Sequence, residues 1–273
     1  MPKAALPQVR AMIAHLPQRS VLCVSGVDRV AFLQGLVSND VTAAVPGQAV
    51  WAALLTPQGK WLADFFITVE NDTLLLDVEA AQASLIAQRL LRYRLRAAVV
   101  IAPDPRPVYV GWDEAMHGTP DPRVAAAGFR VIGPATATAS ADDYDRHRLS
   151  LGLPDGSRDL DSEKTTLLEA GFDALHGVSW TKGCYMGQEL TARTKYRGLV
   201  KRRVLPVRVD GPLPAVGSPI LGATGEVGTM RSGQPGLGLA LLRSDAITER
   251  LTCCDAILSV QLPAWMQSAS GAG

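Results

Sequence analysis

Apolar and polar positions along the chain fall into two textures that meet near residue 200. Upstream, strand-length apolar runs alternate with helix-length periodic ones. Ser20-Val-Leu-Cys-Val24 reads as a short buried strand. Apolar residues at 27, 30, 33, 36 and 37 then share one helical face. Ser25 or Asp28 stands near the N-cap of that helix, and Ser38-Asn39-Asp40 ends it. Val50–Thr56 and Trp61–Val69 flank the turn Pro57-Gln-Gly-Lys60, which predicts a β-hairpin, and Asn71-Asp72 turns the chain into a third strand over 73–78. Residues 80–95 predict an amphipathic helix with Leu85, Ile86, Leu90 and Leu91 on one side and arginines on the other. Further strands are expected at 97–101, 107–111 and 129–132, a loop insertion rich in Pro, Gly, Asp and His over 103–125, a helix over 142–151 and a polar loop over 152–164. This order predicts an antiparallel α+β sheet with helices on one face.

Downstream of Arg203 the runs shorten. Residues 204–209, 218–221, 225–231, 238–242 and 256–262 are strand candidates separated by Gly, Pro and Asp turns, with no good helix among them. A small β-barrel or sandwich is expected. The chain thus divides into residues 1–200 and 201–273.

Composition adds exclusions. The chain is 47% hydrophobic and 19% charged, an ordinary globular balance. A net charge of +1 gives no global attraction to nucleic acid or membrane, so any basic surface is local. No apolar run approaches the roughly 20 residues of a membrane span. Arg10, His15 and Pro17 interrupt any signal-peptide core, so a cytoplasmic location is expected. The histidines at 15, 117, 147 and 176 show no metal-ligand spacing, and no metal site is expected. There is no GxGxxG, Walker loop or GxSxG. Of the four cysteines, Cys23, Cys253 and Cys254 sit in apolar, strand-like runs and read as buried small hydrophobes.

Cys184 differs. It stands in Lys182-Gly-Cys-Tyr-Met-Gly-Gln-Glu189, just before a helix expected to start near Gly187 and end at Gly198. Glu189 and Arg193 are spaced i,i+4 for an ion pair. A helix N-terminus and a nearby lysine both favour a thiolate; a structural cysteine in a Gly-rich turn is the other reading. From Arg193 to Arg208 run seven cations, Arg193, Lys195, Arg197, Lys201, Arg202, Arg203 and Arg208, with no acid among them. They could meet an anionic ligand tail, a phosphate backbone or only solvent. Asp64, amid large apolar residues, could hold a ligand nitrogen or point outward by strand alternation.

Phe32–Val41, Leu54–Asp64, Leu168-Glu-Ala-Gly-Phe172 and the Lys182–Glu189 octet, with its continuation to Arg203, occur in an order that resembles the YgfZ/GcvT-like family, relatives of the glycine-cleavage T-protein. The resemblance implies a body of two similar α+β, ferredoxin-like halves that binds tetrahydrofolate or a derivative, followed by a C-terminal β-barrel, around a central channel. It also implies a role in making or maintaining iron–sulfur proteins, tRNA-modifying enzymes included. Partners would then be folate and iron–sulfur client or assembly proteins, with no membrane and no direct nucleic-acid binding. The family's cysteine maps onto Cys184, with Lys182 beside it, and Asn39, Asp64, Glu169, Tyr185, Gln188, Glu189 and Arg193 are the expected folate contacts. The T-protein's paired acids align with Ala63 and Asp64. The loss of one speaks for the accessory role over aminomethyl transfer, the alternative expectation. A tRNA-binding module using the basic stretch ranks third.

Overall fold

The computed structural model describes residues 11–113, 118–198, 200–248 and 250–269, with side chains to 266; Arg10 and His117 fall outside these ranges. Two α+β halves carry a C-terminal barrel. β1 (Met12–His15) belongs to the second half. The first half comprises β2 (Arg19–Ser25), α1 (Arg29–Gln34), β3 (Val50–Leu55), β4 (Trp61–Glu70), β5 (Thr73–Glu79), α2 (Ala83–Arg94) and β6 (Val100–Asp104). Its sheet runs β3-β4-β5-β2-β6, all antiparallel. The second half adds β7 (Val108–Trp112), β8 (Thr119–Pro120), β9 (Phe129–Ile132) and α3 (Ala141–Ser150), in a sheet ordered β1-β7-β9-β8. Ser140 and Asp143 close a reciprocal capping box at the start of α3. A long irregular stretch then leads to α4 (Gln188–Tyr196).

The apolar runs of β3 and β4 look continuous because both faces of the sheet are covered. Ala52, Leu54, Leu62, Phe65 and Ile67 face the core under α1 and α2. Trp51, Ala53, Leu55, Trp61 and Phe66 face a second core with Leu149, Leu167, Leu168 and Phe172. Asp64 shares the parity of Phe66, so alternation turns it inward; it is buried.

The barrel is built from β10 (Arg202–Asp210), β11 (Pro219–Gly222), β12 (Gly225–Gln234), β13 (Leu237–Arg243), β14 (Leu251–Cys253) and β15 (Ala256–Val260). It closes in the order β10-β13-β12-β11-β14-β15, which leaves no sheet edge. Val204, Leu239 and Leu241 enter the second core. Arg231 forks onto Asp161 at 3.0 and 2.7 Å. α5 (Ala264–Ala269) returns to the second half, where Trp265 donates its indole N–H to the Leu151 carbonyl at 2.8 Å. The Trp265 ring leaves Gly171 no room: a Cβ there would come within 3.1 Å of Cη2.

Several expectations are corrected. Helix α1 is only six residues long; Asp28 does stand at its N-cap, but its carboxylate accepts from the Ala98 N–H at 2.7 Å and makes no cap bond to the helix. On α2 only Ile86 and Leu90 are buried, while Leu85 and Leu91 are exposed. The strand expected at 107–111 is β7, which pairs with both β1 and β9, so the stretch 103–125 is not a loop insertion. Cys254 is exposed at a turn with φ of 51°, and Cys23 is only partly buried. Strand β1 and helix α5 had no counterpart in the sequence pattern, and β14 only in the strand-like run around Cys253.

Candidate functional site

Cys184 lies on a loop whose neighbours are anchored in different cores. Tyr185 is buried in the second core. Met186 packs against the first, and its N–H donates to the Gly35 carbonyl at 3.1 Å. Gly183 has open space around it, and Cys184 is exposed. The thiol therefore projects to solvent from a loop braced on both sides.

Two further contacts fix the loop. The Lys182 ammonium donates to the carbonyls of Gln34 (2.7 Å), Val37 (2.8 Å) and Asn39 (2.8 Å), at and beyond the C-terminus of α1. The Gln34 carbonyl is in the last turn of α1, where helix carbonyls lack intrahelical partners, and those of Val37 and Asn39 lie in the turn that follows. Burial pushes the Lys182 ammonium down to about 8, with Asp40 acting in the opposite direction. Gly187, at φ of 81°, packs against the hairpin turn: a Cβ there would lie 2.6 Å from the Thr56 carbonyl oxygen. Gly59 has the matching problem, 2.6 Å from the Gly187 oxygen.

The other sequence-derived candidates divide by role. Asn39 donates its amide to the carbonyls of Trp51 (2.8 Å) and His176 (2.7 Å). Glu169 accepts from the N–H and hydroxyl of Thr166 at 2.8 and 2.9 Å and from Arg202 at 3.3 Å. Burial raises the Tyr185 phenol to about 12, so it stays neutral. Glu189 pairs with Arg193 on the exposed face of α4, as its spacing predicts. Gln188 is the first residue of α4 and is partly buried. Lys195 lies over the Trp180 ring at 4.0 Å. Asp64 accepts from both indoles beside it, Trp51 at 2.9 Å and Trp61 at 3.1 Å. Burial raises its pKa, against the pull of Arg19 and the indole bond. Lys182, Asn39, Trp51 and Asp64 are thereby joined in one chain of hydrogen bonds from the loop to the interior.

A central ion network escaped the sequence reading. Asp77 binds Arg19 and Arg130, Asp121 binds Arg123, and Arg148 binds Asp145 and Asp159, with nearly all of these side chains buried. Its signal was the one that exposed Asp64, a lone charge inside an apolar run, as in Leu74-Leu-Leu-Asp77-Val. The chamber that Arg19, Arg123, Arg130 and Arg148 line with Asp64, Asp155 and Phe66 has a volume of about 10 Å³. A larger cleft of about 220 Å³ lies between β4–β5 and β8–β9, with Phe66 and Arg130 lining both spaces. No group of three or more His, Cys, Asp or Glu side chains that could hold a metal occurs among the described residues. No described helix is long and apolar enough to cross a membrane.

The fold is that of the aminomethyltransferase T proteins. The crystal structure of glycine cleavage system aminomethyltransferase T from Bartonella henselae superposes with a TM-score of 0.75 over 94% of this chain and 86% of that one, at 14% identity. Residues 201–268 match the CAF17 C-terminal beta-barrel domain. Sequence relatives are more specific. The mitochondrial iron-sulfur cluster assembly factor IBA57 of Mus musculus is 34% identical over 85% of this chain and 78% of its own length. The Homo sapiens protein of that name is 33% identical over 94% and 85%, and a Neurospora crassa homolog 31% over 76% and 56%. The chain belongs to the IBA57 family.

These relatives are named mitochondrial, which overturns the expected cytoplasmic location. The expectation rested on the lack of an apolar secretory core, whereas organelle transit segments are amphipathic. The residues around Asp64 do not fit a folate: ligand pockets of that class span roughly 300–1,000 Å³, and a chamber of about 10 Å³ holds one water at most.

Proposed function

We propose that this chain is an accessory factor in the assembly or maintenance of iron–sulfur proteins, tRNA-modifying enzymes among them, and that Cys184 is its working thiol. The observation that carries the reading is an exposed cysteine on a loop tied to α1 and the β3–β4 turn by Lys182, Met186 and Gly187, and to the second core by Tyr185. Its relatives' names supply the iron–sulfur context, and the Lys182–Glu189 octet supplies the resemblance to the YgfZ branch. The described residues offer no multi-ligand cluster of their own. A cluster or sulfur species passing through Cys184 is therefore cargo whose remaining ligands come from a client or assembly partner. Protein surfaces of that kind are the partners proposed here.

Tetrahydrofolate binding and aminomethyl transfer are the finer parts of the family resemblance. The T-protein fold supports them; the filled chamber at Asp64 weighs against both, and Ala63 in place of a second acid against the transfer. No step of the proposed function runs through a folate.

The test is a deletion strain carrying wild type or Cys184→Ala, scored by client iron–sulfur enzyme activity. The variant should lose client support while its stability stays within about 0.5 kcal/mol of wild type, as at other exposed positions. Full client activity with Cys184→Ala would remove the thiol from the function. Slow thiol alkylation in the native protein would remove its accessibility.

A further inference from the structure

We infer that the central chamber, where the family resemblance locates folate, is in this protein a closed structural hub, and that Asp64 is a clamp for two indoles and not a pterin contact. The inference concerns the interior and does not depend on the role proposed for Cys184.

Asp64 comes first. A carboxylate recognises a pterin by accepting N–H bonds; here each oxygen already accepts one, Oδ2 from Trp51 and Oδ1 from Trp61, and the space beside the remaining lone pairs is only about 10 Å³. Neither indole is free to withdraw. Trp51 stacks on Phe172 with centroids 3.9 Å apart at 19°. A Cβ at Gly177 would sit 2.5 Å from the Phe172 ring and 2.8 Å from the Trp51 ring, so this stack is pressed against backbone. Trp61 is held through its own backbone, which donates to the Thr165 carbonyl at 2.9 Å and accepts from the Glu163 N–H at 2.8 Å.

Phe66 comes second. A pterin would need an open aromatic face or slot. The Phe66 ring is covered by guanidiniums, Arg130 at 3.8 Å, Arg123 at 4.8 Å and Arg19 at 5.7 Å from its centroid. Each guanidinium is held by a buried carboxylate, Asp77 for Arg19 and Arg130, Asp121 for Arg123. Admitting a ligand would strip buried cations of their partners, which is costly in a low-dielectric interior. The polar groups that could have bound a heterocycle are satisfied by one another, and about 10 Å³ remains.

The experiment uses the whole chain labelled with ¹⁵N at the indole nitrogens. The probe is tetrahydrofolate, raised to about 1 mM, a level at which a site of micromolar affinity would stabilise the fold measurably. The Trp51 and Trp61 N–H signals should keep their positions and exchange slowly with solvent, and any rise in melting temperature should be the same in Asp64→Asn. Calorimetry on wild type and Asp64→Asn provides the second measurement. No saturable heat in wild type supports the closed hub. Saturable binding of equal strength in both proteins, with unmoved indole signals, also supports it and places the ligand outside the chamber. A shift of both indole signals on titration overturns the inference, and so does saturable binding that a folded Asp64→Asn loses.

Discussion

Lys182 shows how far residue types alone reach. Two positions from Cys184, its charge predicts help for a thiolate. Its ammonium instead directs all three donors to carbonyls behind α1, so its first role is to position the loop. This has a pH signature. The folded pKa is lowered to about 8 by burial, against about 10.4 in an unfolded chain. Between those values the unfolded state binds more protons, so the contribution of Lys182 to stability rises with pH across that window. The unfolding free energy of wild type relative to Lys182→Met should therefore move in favour of wild type as pH rises from about 8 towards 10.4, as measured by denaturant titration. A difference flat across that range would contradict the burial described here. Asn39 and Glu169 teach the same lesson. Residue type marked them as polar and placed them near the motif, but only three-dimensional neighbours reveal that the bonds they make are to the chain's own backbone and side chains.

At the scale of elements, the Cys184 loop and the β3–β4 turn are fitted through two glycines. Gly187→Ala puts a side chain at positive φ and into the Thr56 carbonyl, which should cost about 2 kcal/mol or more. Gly183→Ala, four residues away and facing open space, should stay within about 0.5 kcal/mol. Thermal melts of the pair check this, and similar losses in both would dissolve the idea of a turn-to-loop fit. The strands of the first half were legible because β4 and β5 are long runs with clean turns between them. The barrel was legible from its spacing of Gly, Pro and Asp. The elements that escaped were short or dependent on partners. β14 has three residues, and β1 is ordered by pairing with β7, nearly a hundred positions downstream. On α2, Leu85 and Leu91 flank the buried Ile86 and Leu90 on opposite sides and are exposed; periodicity marks the centre of an apolar stripe but not how much of its width is covered.

For the molecule as a whole, the barrel is locked to the halves by charge as well as by apolar packing. The buried Asp159 carboxylate accepts from Arg148 at 2.8 Å, the Asp155 N–H at 2.9 Å, and the N–H and hydroxyl of Ser232 on β12 at 3.0 and 2.6 Å. Asp155 joins this group: burial alone would raise it, but Arg148, Arg19 and Arg158 bring it down to about 2. Removing one partner from a buried ion pair typically costs about 3–5 kcal/mol. Asp159→Asn should lower the unfolding free energy by roughly that amount in denaturant titration. A loss below about 1 kcal/mol would show that the Asp159 contacts do not help hold the barrel, leaving that to the apolar seam and the Arg231–Asp161 pair.

The return of Trp265 to Leu151 and Gly171 bears on how the chain is made. Synthesis delivers residues in order, and domains tend to fold as they emerge. The turn at Gly171 and the end of α3 are covered by a ring that lies 94 positions beyond Gly171, after every strand of the barrel. While a nascent chain is still short of that point, the second half carries an uncapped carbonyl and an open apolar notch, both natural footholds for a chaperone. A ribosome stalled within the barrel should therefore display a second half that proteases can cut, and release past Trp265 should end that sensitivity.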